Sequence, residues 1–310
     1  MHAILIINDE LPRNVFFSSS IKIMEVKKTD SRDSMVTIAK VIGIVCVVMA
    51  HAMNPAWITW KVIYTFHMPL FFLLSGYCFK EKYLDDAKSF VLRKLKGIYA
   101  PFVVYSLIFL MLHNVFASCH IYDTTWTYGW KDYLWHISRI ITRMSHNESL
   151  LGIFWFLKEL FWGNMLFYCL LRLGKGKKWI PIIILAVLTI LLTVTKWCVP
   201  YFTISKTTFY ASFFISIGYA GRVYLESLNR WWVWGICVLM IAAYVWIGKN
   251  ISIVSQNIYT ILPYTLTSIG GSALVMTISK FLSTNGGGGL VYSIRRKSHT
   301  GNNGIAFFNL

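Results

Sequence analysis

Lys40 and His51 stand eleven residues apart in one apolar stretch. Three helical turns take about 10.8 residues, so on a helix both side chains lie on nearly one face, with a rise of roughly 16 Å between them. An ionisable side chain inside a membrane span is costly and is a functional candidate by default. The pair offers a cation at one interface and, toward the other, an imidazole able to take up a proton near neutral pH. Plainer readings stand beside this one: a lysine snorkelling at a helix start, and a histidine resting at an interface.

A second histidine, His67, lies in FHMPLFFLLSGYCF, about five residues inside the outer end of the next apolar run. A short link joins the two runs, so they should be antiparallel neighbours. That places His51 and His67 at matching depth. Pro69 should kink this second helix and free a carbonyl, and Ser75-Gly76 should allow close packing. Arg93 precedes the third run in RKLKGIYAPFVVYS, suited equally to a phosphate or to the interface. Lys158 and Glu159 sit in the apolar surroundings of GIFWFLKELFWGN. Adjacent helix residues do not face each other, so each needs a partner on another helix or a polar cavity.

The elements that must carry these residues are membrane spans. Of 310 residues, 56% are hydrophobic and 14% charged, against about a quarter charged in soluble domains. A spanning helix takes roughly 20 mainly apolar residues. Eight such runs are legible: about 36–53, 62–79, 98–117, 150–171, 179–197, 209–220, 231–247 and 258–281. The expected fold is an all-α polytopic transmembrane helix bundle.

Three regions follow from this map: a cytoplasmic leader over 1–35, a transmembrane domain over 36–283, and a polar tail over 284–310. The segments on the leader's side, 80–96, 172–178 and 222–230, hold six, four and two basic residues. The longer opposite loop, 118–149, holds three. Cytoplasmic loops carry the excess of Lys and Arg, which puts the amino terminus inside.

The net charge of +17 would suggest nucleic acid in a soluble protein. Here the cations sit in short segments between apolar runs, as topology signals do, so nucleic acid is not an expected partner. The six cysteines form no CxxC pair, which favours membrane-core thiols over a metal site or a disulfide framework.

The stretches DSMVTIAKVIGIVCVVMAHA, FHMPLFFLLSGYCF, RKLKGIYAPFVVYS and IFWFLKELF together resemble the membrane acyltransferase-3 family, bacterial proteins that O-acylate envelope glycans. The resemblance covers residues 32–165; beyond them it rests on hydropathy. It implies catalytic roles for His51 and His67, donor binding by Lys40 and Arg93, and no metal. It further implies acetyl-CoA or another acyl-CoA as donor, a glycan hydroxyl as acceptor, and a multi-pass place in the bacterial inner membrane. Direct transfer and an acyl-histidine intermediate both remain open.

Family members have about ten spans, against eight here. The tail LVYSIRRKSHTGNNGIAFFNL starts like a late span and then turns polar. A one-base shift of frame over 301–309 would restore an apolar run with a histidine, so a truncated or frameshifted carboxyl terminus is expected. Two other classes fit intramembrane His, Lys and Glu: a transporter or flippase for a polysaccharide or lipid-linked sugar, and a sensor built on the 118–149 loop.

Overall fold

The computed structural model describes residues 31–122, 126–195, 204–227, 231–247, 252–257 and 259–284. The tail and most of the expected leader lie outside them. The described residues form helices and their connections, with no strand among them.

The order begins with α1 (Ser31–Ala52), α2 (Ile58–Tyr77) and the short α3 (Ala87–Lys94). A π-helical turn, Leu95–Tyr99, joins α3 to α4 (Ala100–Ser118). Then come α5 (Trp130–Arg143), α6 (Trp155–Leu173), α7 (Trp179–Thr195) and α8 (Lys206–Ala220). The short α9 (Arg222–Ser227), α10 (Trp231–Ile247) and α11 (Ile261–Thr284) complete it. Among the described residues, five segments are long and apolar enough to cross a membrane: 34–52, 58–77, 87–118, 149–173 and 261–284. The helices α7 and α10 are shorter but as apolar. An all-α bundle is what hydropathy required.

Boundaries differ from the sequence reading in three places. The second helix starts at Ile58, so residues 58–61 of the expected link are helical. The third starts at Ala87, which puts Arg93 inside a helix rather than in a loop. Asp86 caps it, accepting from the Ser89 amide at 3.0 Å. Pro101 lies in the first turn of α4, and Pro has no N–H and crowds the carbonyl four residues back. The widened turn before it absorbs that mismatch, with the Ala100 amide donating to the Leu95 carbonyl. The third difference is α5, an amphipathic helix inside what hydropathy reads as polar loop.

Packing centres on α2 and α8. The two helices touch closely, α8 also packs on α6 and α7, and α11 packs on α1, α2 and α10. In lipid there is no hydrophobic drive between helices, so small residues and hydrogen bonds decide the contacts. A side chain added at Gly76 would overlap the Ile215 carbonyl of α8, and one added at Gly218 would overlap the Leu73 carbonyl of α2. The close packing expected of Ser75-Gly76 is therefore present. A satellite core joins Met35, Val36 and Ala39 of α1 to Leu70 and Leu74 of α2 and Met276 of α11. The outward stripes of α4 (Val104, Ile108, Met111, Val115) and α7 (Ile183, Val187, Val194) are exposed, as lipid-facing surfaces are.

Pro69 leaves the Thr65 carbonyl without its helical donor. Ser268 of α11 supplies one, its hydroxyl donating to the Thr65 carbonyl at 2.6 Å. The carbonyl expected to be freed is used to bolt α11 onto α2.

Candidate active site

The face where α1 begins is termed proximal and the opposite face distal. Lys40, half-buried, lies toward the proximal end of α1, and His51, exposed, lies in its last turn. His67 lies in the interior of α2 and is buried at 4% exposure. Because α2 starts at Ile58, His67 is about 13 Å along its helix, while His51 is one residue from the end of its own. The matched depth expected for them is not found. They remain near enough for the charge of His51 to act on His67.

Main-chain geometry sets what His67 can do. Its Nδ1 lies 2.8 Å from the Ile63 carbonyl, an atom that can only accept. A proton on Nδ1 therefore donates to that carbonyl, and the neutral ring keeps its lone pair on Nε2. Tyr64 packs on the ring edge-on at 4.9 Å between centroids. The ring is held in orientation with one nitrogen available as a proton acceptor.

At the proximal face Arg93 is exposed and donates to the Tyr83 hydroxyl at 3.0 Å. Tyr83 is tied down in turn: its carbonyl accepts from the Tyr168 hydroxyl of α6 at 3.0 Å, and Arg172 donates to that same hydroxyl at 3.1 Å. Lys94, the next residue after Arg93, is acted on by the charges of both Arg93 and Lys40. Lys94, half-buried, is a further cation at the proximal face that spacing did not single out. The signal was present as the basic run in RKLK, but which of its members turns inward depends on the helical phase of α3.

Glu159 of α6 finds its partners on another helix, as expected. Its Oε1 accepts from the Ser205 hydroxyl at 3.1 Å, and its Oε2 accepts a short hydrogen bond from Thr208. Ser205 is the N-cap of α8, so a buried carboxylate sits where that helix carries its positive end. All this marks Glu159 as the anchor of α8 to α6.

The distal loop is a built structure. Glu148, 3% exposed, accepts from the Tyr122 hydroxyl at 2.7 Å and lies 3.0 Å from Nδ1 of His113. The other ring nitrogen of His113 lies 3.1 Å from the Trp126 carbonyl. Tyr128 stacks on His113 at 3.6 Å and on His136 of α5 at 4.6 Å. Burial pushes the His136 imidazole below its ordinary range, with Arg139 adding to the shift and Glu148 and Asp132 opposing it. Burial lowers His146 as well, against Glu148. The structure secures this loop through side chains that hydropathy could only read as polar.

Two histidines with a lone pair to offer and a remote group of cations suit transfer of a group from an anionic donor to a hydroxyl. Residues 35–293 match the profile of an acyltransferase domain family, the third of that name. Comparison with curated proteins and with solved structures finds no match. The profile covers well over half of the chain and takes in every helix whose side chains form the two clusters, so the chain belongs to the acyltransferase-3 family of multi-pass membrane proteins.

Proposed function

We propose that the protein moves an acyl group, acetyl in the first instance, from acyl-CoA to a hydroxyl of a cell-envelope glycan. The observation that carries this reading is the separation of two chemistries along α1. Lys40 lies toward the proximal end, where the basic run at Arg93 also lies, and an accessible imidazole stands a rise of roughly 16 Å away at His51. An anionic donor entering at the proximal face would meet Lys40 and Arg93, whose guanidinium suits phosphate. Its thioester arm would follow the face of α1 toward the histidines. The proximal face is then the cytoplasmic one, with the amino terminus inside and the chain in a bacterial inner membrane.

At the distal end His51 takes the proton of the acceptor hydroxyl. The freed oxygen attacks the thioester carbonyl, a C–O bond forms, and the C–S bond breaks. The imidazolium then returns its proton to the departing CoA thiolate. His67, with Nε2 accepting in its neutral form, takes a hydrogen bond from a second hydroxyl of the acceptor and so orients it. An oxyanion-stabilising role would require His67 to be protonated.

The test is acyl transfer from labelled acetyl-CoA to envelope glycan in membranes carrying the whole chain. His51→Ala is expected to lower transfer by about 100-fold or more, the scale of general-base catalysis, with membrane insertion near normal. Glycan acylation that survived His51→Ala would remove the assigned base.

A further inference from the structure

A groove of about 710 Å³ runs between α2, α10 and α11. Each helix turns one stripe toward it. On α11 the stripe includes Gly271 and Ile278, and on α10 Val238 and Val245, each pair about two helical turns apart. On α2 it includes Phe66 and, nearer the distal end, Lys61. Lys61 is the one charged residue in the described lining. Val238 and Ile278 are exposed along the groove, so it opens sideways toward lipid. Its volume falls within the roughly 300–1,000 Å³ of sites that hold small ligands.

Lys61 stands in the first turn of α2, half-buried, at the distal face. Trp57 immediately precedes that helix, and Trp246 lies in the last turn of α10 on the groove's rim. Both rings are exposed, as the aromatic side chains that mark the headgroup level are. A lysine one turn inside that level lays its stem along apolar surface and carries its ammonium outward to the lipid phosphates. Among the described residues no carboxylate lies within ion-pair distance of Lys61, and the first turn of α2 holds no acidic residue. A cation without a counter-charge, set over an apolar groove, complements a molecule with phosphate at one end and hydrocarbon at the other. Residues 285–310 of the chain itself do not match that description. They contain no Asp or Glu, and Gly286 to Gly289 and the run Arg295, Arg296 and Lys297 leave them little apolar length.

We propose that this groove is a binding site for an anionic phospholipid of the distal leaflet, with one hydrocarbon chain lying between α2, α10 and α11 and the phosphate held by Lys61. The site stands apart from acyl transfer, since neither donor nor acceptor is assigned to it. A chain held there joins α10 to the α2–α11 pair, and Phe66 in its wall adjoins His67.

The test is thermal unfolding of the whole chain in uncharged detergent with three additions. These are phosphatidylglycerol, phosphatidylcholine, which has the same chains and no net charge, and glycerol 3-phosphate, which has the anion and no chains. Phosphatidylglycerol is expected to raise the unfolding temperature at about fivefold lower concentration than phosphatidylcholine, the scale of one cation near the membrane surface. Lys61→Gln should remove that preference, and Lys61→Arg should keep it. Ala242→Trp, which fills the groove from α10, should weaken the response to both lipids. Glycerol 3-phosphate should have no effect. Equal responses of the parent to the two lipids overturn the site, as does a preference that survives Lys61→Gln or a full response in Ala242→Trp. Glycerol 3-phosphate acting as well as the lipid would mark a free-anion site. A dimer in detergent that Ala242→Trp splits would give the groove to a second copy. Either result also overturns the proposal. Should Lys61→Gln fail to give folded protein, Ala242→Trp decides: a lost lipid response supports the site and an unaltered one removes it.

Discussion

A single hydroxyl shows how this bundle is held. Pro69 deprives the Thr65 carbonyl of its helical donor, and Ser268 of α11 replaces it at 2.6 Å. Hydrogen bonds between membrane helices contribute on the order of 0.5–2 kcal/mol. Ser268→Ala should destabilise the folded bundle by about that amount, measured as thermal unfolding in detergent. Adding Pro69→Ala restores an N–H to the helix and should recover most of the loss. Independent, additive effects of the two changes would show that the hydroxyl and the proline are not coupled. Imidazoles follow the same logic of atoms already spoken for. The Ile63 carbonyl claims Nδ1 of His67, and that contact fixes which nitrogen remains for chemistry.

Elements add what single residues cannot, and α5 is the clearest case. One side of this helix packs inward through His136 and Ile140, while Trp130, Leu134 and Ile141 stay exposed on a neighbouring strip. The packing keeps His136 uncharged, and burial does the same for His146 in the adjoining turn. Both imidazoles titrate below their ordinary value of about 6.5 in the folded loop, so the unfolded loop binds more protons. Their contribution to stability is fully present above about pH 6.5 and is lost as the pH falls below it. Tryptic cleavage at Arg139 and Arg143 should therefore accelerate between pH 7.5 and 5.5, with the spanning helices still intact. His136→Phe should flatten that dependence; a cleavage rate independent of pH in the unaltered protein would contradict it.

At the scale of the whole molecule, the proposed chemistry requires a fixed orientation. The proximal cations must face the compartment that holds acyl-CoA, and His51 must face the acceptor glycan. Cys119 reports on this directly. It follows the last residue of α4 on the distal side, and it is exposed. In intact cells a membrane-impermeant maleimide is expected to label Cys119 without permeabilisation. Labelling only after the membrane is opened would invert the topology and the assignment of donor and acceptor faces. Cys169 is exposed on α6 within a spanning segment, so its surroundings are lipid and it should stay unlabelled.

Composition and periodicity were sufficient for the membrane class, the helical bundle and the approximate runs, because twenty apolar residues in a row have few other stable fates. Lys40, His51 and His67 became candidates because ionisable groups stand out against such a background, whereas Arg93 did so from its place in the basic run before the third span. Helix starts at Ile58 and Ala87 were not legible. Lys61, Arg93 and Lys94 look like loop residues to hydropathy, although helical hydrogen bonding continues through them. The partner of Glu159 was foreseen as lying on another helix, but only packing chose Ser205 and Thr208. The hydrogen bonds from Lys94 to Ser75 and from Ser75 to Asn164 join residues up to 89 positions apart. No local pattern encodes such a contact. It is set by how the helices pack, as is the backbone-distance approach of α2 to α8 at Gly76 and Gly218.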